Sequence, residues 1–129
     1  AASVHIRRRL HQHTDDIVSL AISPDGELLV SGGADKKVMF WRLRDGRLMG
    51  ELDAHGRGVN SVSFSADGKL LATASRDRTI RIWNMTTRKL LDILEGHDSG
   101  VWAAIFAPDS RTLISGDWSG KIRCWQLSR

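Results

Sequence analysis

Histidine, a hydroxyl residue and aspartate recur together along this sequence. His13, Ser31 and Asp35 form one group, His55, Thr73 and Asp77 a second, and His97 and Ser115 a third in which Ser119 stands where the acid is expected. These are the residue types of a nucleophile, its base and the group that orients the base, so hydrolase chemistry has to be weighed. The pattern argues against it. An active site is built once, whereas this set is written three times, always with a tryptophan (Trp41, Trp83, Trp125), and one copy lacks its acid. No Gly-x-Ser-x-Gly elbow is present. His5, His11 and His13 are neighbours without zinc-site spacing, and the stretch from Ser31 to Lys37 lacks the spacing of a phosphate loop. The expectation is a non-enzyme with no metal and no cofactor.

The elements that must position these residues follow from their spacing. His13, His55 and His97 are 42 residues apart, and the same step relates Trp41, Trp83 and Trp125, and Asp25, Asp67 and Asp109. Only 11 of 42 positions are identical between the first two units, so the fixed period is not a trivial duplication. A repeat of this length decides the architecture. In the middle unit GVNSVSFS alternates, ADGK is a hairpin turn signal, LLATAS follows, then RDR, TIRIWNM, TTR and KLLDILE. That is room for four short strands, with no stretch of helical length or spacing. Apolar residues on both faces of the inner runs point to sheets stacked on both sides.

Histidine, Ser/Thr, aspartate and tryptophan at fixed offsets in units of about forty residues resemble the WD-repeat β-propeller family. The resemblance covers essentially the whole chain, although Arg42, Asn84 and Gln126 follow the three tryptophans where the family's name-giving aspartate would stand. It implies an all-β fold of four-stranded antiparallel blades, one array over residues 1–129. It further implies that the histidine, hydroxyl, aspartate and tryptophan of each unit form a buried hydrogen-bond chain. The sets are His13, Ser31, Asp35, Trp41; His55, Thr73, Asp77, Trp83; and His97, Ser115, Trp125 with Ser119 in place of the acid. Loss of the acid predicts a less firmly pinned third blade, by about 1–3 kcal/mol.

The opening run, residues 4–12, aligns with the fourth-strand runs: Ile6 with Leu48 and Leu90, Leu10 with Leu52 and Leu94. Repeats then occupy 13–54, 55–96 and 97–129, the last without its own outer strand. Three blades do not close a ring, since propellers have about four to eight, and an open arc leaves apolar faces and strand edges in water. Either the chain is a fragment of something longer, or copies join head to tail, with Ile6, Arg8 and Leu10 of one copy completing the third blade of the next. A homotrimer of nine blades is favoured over a homodimer of six, because it asks for a smaller change of blade wedge. The regular period also suggests recent amplification or deliberate design.

In the resembling family, partner contacts come from the face carrying the fourth-to-first and second-to-third strand connections. The corresponding positions are Asp16, Val18 and Ala34; Gly58, Asn60 and Arg76; and Gly100, Trp102 and Trp118. Two tryptophans beside an arginine have the composition of a binding hot spot. The favoured reading is a protein-binding scaffold; the alternative is a structural or designed self-assembling module with no partner but itself. Net charge is only +4. Arg7, Arg8 and Arg9 read as solubilising charges on an edge strand, so nucleic acid is not the expected partner, although Lys36, Lys37, Arg76, Arg78 and Lys121 give one rim a positive field. Cys124 aligns with Phe40 and Ile82 and is expected to be a buried, inert thiol. A lone cysteine, no run of eighteen apolar residues and no secretory signal pattern together suggest a cytoplasmic protein and no membrane association.

Overall fold

The alternating run at 58–65 becomes a strand because its apolar residues must face neighbours on both sides while its backbone pairs within the sheet. A computed structural model describes residues 3–128; Ala1, Ala2 and Arg129, at the ends of the assigned array, lie outside the described residues. Eleven strands follow one another: β1 Ile17–Ile22, β2 Leu28–Gly33, β3 Lys37–Arg42, β4 Arg47–Asp53, β5 Val59–Phe64, β6 Leu70–Ser75, β7 Ile80–Asn84, β8 Leu90–Leu94, β9 Val101–Phe106, β10 Thr112–Asp117 and β11 Ile122–Gln126. They form antiparallel sheets in the orders β1-β2-β3-β4, β5-β6-β7-β8 and β9-β10-β11. The first two sheets have four strands and the third has three.

The core lies between blades. Val30, Val38 and Phe40 of the first blade meet Val59, Val62, Leu71 and Trp83 of the second. Leu70, Ala72, Ile80 and Ile82 of the second meet Val101, Ala104 and Leu113 of the third. Serine hydroxyls stitch the innermost strands: Ser19 Oγ accepts from the Val62 N–H at 3.1 Å, and Ser61 Oγ from the Ala104 N–H at 3.3 Å. The middle blade is therefore packed on both faces and the outer two on one. Leu20 is 60% exposed, while Val62 and Ala104, one and two repeats on, are 5% and 0% exposed.

The turn between the first two strands of each blade needs a left-handed residue. Gly26 and Gly68 supply it at φ 76° and 73°, and Ser110 takes the same conformation at φ 58° in the third blade. A serine there carries some strain, but its hydroxyl accepts the Asp67 N–H at 3.1 Å and so ties blade three to blade two.

The run 4–12, expected to become a strand on a neighbouring copy, is coil in the single chain. Arg8 Nη2 donates to the Arg44 carbonyl at 2.9 Å, which holds the run against its own β3–β4 turn. Without a neighbouring strand it has no ladder to join. Cys124, expected to be buried, is exposed. Its counterpart Phe40 is covered by the Arg88 guanidinium from the second blade, 4.1 Å above the ring. Cys124 lies on the last blade, where the described residues contain no following blade to supply such a cover.

Candidate functional site

Each hydrogen-bond chain runs from loop to turn to strand. In the first blade His13 Nδ1 meets Asp35 Oδ2 at 2.9 Å, His13 Nε2 meets Ser31 Oγ at 2.7 Å, and Trp41 Nε1 donates to the same oxygen at 2.9 Å. The second blade repeats this with His55–Asp77 at 2.8 Å, His55–Thr73 Oγ1 at 2.8 Å and Trp83–Thr73 Oγ1 at 2.9 Å. A neutral ring that gives its Nδ1–H to the carboxylate accepts at Nε2, so the hydroxyl donates there while taking the indole N–H. The connectivity is that of a hydrolase triad, but the hydroxyl oxygen is spent on tryptophan. Ser31, Thr73 and Ser115 are 1%, 0% and 1% exposed, out of reach of a substrate.

The third blade corrects one expectation. Its acid is not missing, and Ser119 is not its substitute. Asp117, two residues earlier, places Oδ2 2.7 Å from His97 Nδ1, while His97 Nε2 and Trp125 Nε1 meet Ser115 Oγ at 2.7 and 2.8 Å. Ser119 supports that acid by donating its hydroxyl to Asp117 Oδ1 at 2.6 Å. Gly33 explains why the exchange works, because it stands two repeats before Asp117 at the equivalent place. A Cβ built on Gly33 would lie 2.6 Å from both His13 Nδ1 and Asp35 Oδ1. The two positions thus project into one space from opposite sides of the turn, and a carboxylate can be delivered from either.

All three carboxyls titrate below their ordinary value. Burial works to raise Asp35 and Asp77, but the ring of His13, with the Thr14 and Lys37 N–H groups, outweighs it at the first, and the ring of His55 with the Thr79 hydroxyl at the second. The Ser119 hydroxyl, followed by the His97 ring, holds Asp117 well below the carboxylate range.

The candidate contact face is shaped by a bulge that recurs in every blade. The β1–β2, β5–β6 and β9–β10 ladders each shift register, between Ile17 and Ser19, between Val59 and Ser61, and opposite Gly116–Asp117. Val18, Asn60 and Trp102 are the extra residues, and a bulge re-aims the side chain it carries. Trp102 and Trp118 come together edge to face, with ring centroids 4.7 Å apart and planes at 80°. They remain 54% and 62% exposed. Gly100 brings Trp118 in: a Cβ there would sit 3.3 Å from the indole Cδ1. Asn60 is turned inward, its amide donating to the Val101 carbonyl of the next blade at 3.0 Å. Asp16 and Val18 lie exposed on the first blade, away from the indole pair. Arg57, which sequence reasoning did not single out, lines a shallow depression of about 260 Å³ with Arg76, Ser99, Gly100 and Trp118.

A second surface is the outer edge of β11. Ile122 is 75% exposed there. Beside it a cavity of about 400 Å³ opens between β8 and the end of the chain, lined by Leu91, Asp92, Leu94, Trp125 and Leu127 among others.

Three stacked antiparallel blades, each pinned by a His–hydroxyl–Trp chain, define a WD-repeat protein, and the family profile described as WD domain, G-beta repeat matches residues 5–42, 46–84 and 88–126. The chain belongs to that family. Among its relatives are the small ribosomal subunit protein RACK1y of Oryza sativa subsp. japonica, 39% identical over 49 residues, and the WD repeat-containing protein srw1 of Schizosaccharomyces pombe, 47% identical over 38. The first alignment covers 38% of this chain and 15% of the relative, the second 30% and 7%. The solved structures of U3-55K and of the RRP9 WD40 repeats superpose with TM-scores of 0.90, at 25% and 26% identity, over 93% of this chain and 38% of theirs. The chain thus spans less than half the length of the relatives it matches.

Proposed function

We propose that this chain is a non-enzymatic scaffold that binds other proteins through the Trp102–Trp118 face and completes its third blade with the opening strand of another copy. The observation that carries the first part is the indole pair: large, pre-ordered against each other, and left in solvent. Aromatic rings held in place give contact area at little entropic cost. Kinship with small ribosomal subunit proteins fits a chain that works in contact with other molecules, and the burial of every repeated hydroxyl speaks against hydrolysis. The test is capture by wild type and by Trp102→Ala/Trp118→Ala, followed by rebinding with each partner purified. Partners that bind both forms equally would remove the face from the reading.

The second part rests on the free edge of β11, the cavity beside it and the family match beginning at residue 5. The matched segments starting at 46 and 88 take in β4 and β8, so the first takes in the run 5–12 at the same place. In the second blade Trp83, Ile82 and Ile80 pair with Leu90, Asp92 and Leu94. One repeat on, that register sets Trp125 against Ile6, Cys124 against Arg8 and Ile122 against Leu10 of another copy. The run is held to its own chain by one exposed hydrogen bond, worth about 1 kcal/mol, and by the side chains of Leu10 and Arg8 laid over Gly46. Arg8→Cys should therefore form a disulfide with Cys124 between chains on mild oxidation, and native mass spectrometry should give three copies, or two. A single chain at all concentrations, without crosslinking, would overturn closure and leave the indole face standing.

A further inference from the structure

We infer that the depression between the second and third blades takes an acidic peptide segment, with a carboxylate on Arg57 and Arg76 and an adjacent apolar side chain against Trp118 and Trp102. This rests on the reading of the indole pair as the docking face and names the chemistry of its partner.

Four observations carry it. Among the described residues neither guanidinium has an ion pair or side-chain hydrogen bond, whereas the nearby Lys121 is paired with Asp98 at 2.7 Å. The stem of Arg76 is laid down rather than waving: a Cβ on Gly58 would lie 3.5 Å from its Cδ, and one on Gly100 would lie 3.3 Å from its Cα. Both glycines thus keep the floor open beneath the charged heads. At about 260 Å³ the depression falls below the range of about 300–1,000 Å³ that encloses small molecules, and suits side chains presented by a protein. The corresponding corner of the first blade carries Asp15, Asp16 and Ala34 in place of Arg57, Gly58 and Arg76. The arginine pair is therefore particular to this corner among the first two blades. A planar guanidinium pair beside π-faces matches a carboxylate flanked by an apolar group.

The experiment is selection from a displayed library of random linear peptides on the intact chain, with affinities of the enriched peptides measured for wild type, Arg57→Ala/Arg76→Ala and Trp102→Ala/Trp118→Ala. All four side chains are exposed, and circular dichroism verifies that the variants keep their fold. Enriched peptides should carry Asp or Glu beside an apolar residue, lose at least about tenfold in affinity with either double variant, and weaken with added salt. Enrichment of neutral or basic peptides that need the tryptophans but not the arginines would overturn the acidic partner and keep the docking face. Peptides indifferent to the tryptophans, or no enrichment, would overturn both. Tighter binding of a thymidine oligonucleotide, lost with the arginines, would also overturn the inference by reassigning the corner to nucleic acid.

Discussion

The second and third blades share a strand pattern, a hydrogen-bond chain and a bulge, yet one is enclosed and the other open. Trp83 is 7% exposed and packs into the core between the first two blades, while Trp125 is half-buried and lines the cavity beside β11. The difference separates two tasks that a single repeat can hide. The polar chain fixes the shape of a blade from within, and it is intact in both. Stability comes from the blade on either side, and the third has only one. What a repeat contributes to folding is thus set by its neighbours as much as by its residues.

Unequal enclosure predicts unequal losses. Trp83→Ala should cost about 3–5 kcal/mol and Trp125→Ala about 2 kcal/mol, read as urea midpoints at fixed slope. These values are for dilute protein, in which the chain stands alone; losses that become equal as concentration rises would mark the covering of the third blade by another copy. Next come Thr73→Val and Ser115→Ala, each of which strands a histidine nitrogen and an indole N–H, at about 1–3 kcal/mol. The value for Thr73 should be the larger.

Smaller effects follow from the carboxyls. Asp117→Ser should destabilise, Ser119→Ala should do so less, and the double exchange Asp117→Ser/Ser119→Asp should regain most of the loss, because the acid then enters as in the first two turns. Failure of the double exchange would show that the two positions are not equivalent. Each carboxyl ionises more readily folded than unfolded, so its contribution is complete above the unfolded value of about 3.9 and fades as pH falls below it. The urea midpoint should decline on acidification through that range, and more gently in Asp77→Asn and Asp117→Asn, whose lost carboxyls no longer titrate. The least costly probe leaves stability untouched. Cys124 should react with Ellman's reagent in dilute protein and become protected as concentration rises, in step with assembly. A rate independent of concentration would break the link between that edge and another copy.

Much of this was legible in the sequence because a period of 42 residues leaves little freedom. The strand runs follow from spacing, while their order in a blade and the His–hydroxyl–Trp sets follow from the resemblance to WD repeats. The acid of the third turn was misread because alignment by period assumes that a function stays at its position. Asp35 and Asp117 illustrate that two positions of the repeat can serve one point in space. Cys124 was misread for the opposite reason: its position within the blade is apolar, but burial there depends on the blade that follows. Arg57 was passed over because it lies on the loop before β5, where a lone charge looks like any solvated residue. Only the packing of Arg76 and Trp118 over Gly58 and Gly100 sets it in a cluster.

The bulge residues Val18, Asn60 and Trp102 stand outside the ladder that holds each sheet, so a change at one of them leaves strand registry alone. Valine, amide and indole already occupy that spot in three successive blades on an unchanged frame. On the proposed docking face the exposed Val18 and Trp102 can therefore be exchanged with little cost to folding, whereas Asn60 is tied to the Val101 carbonyl of the next blade.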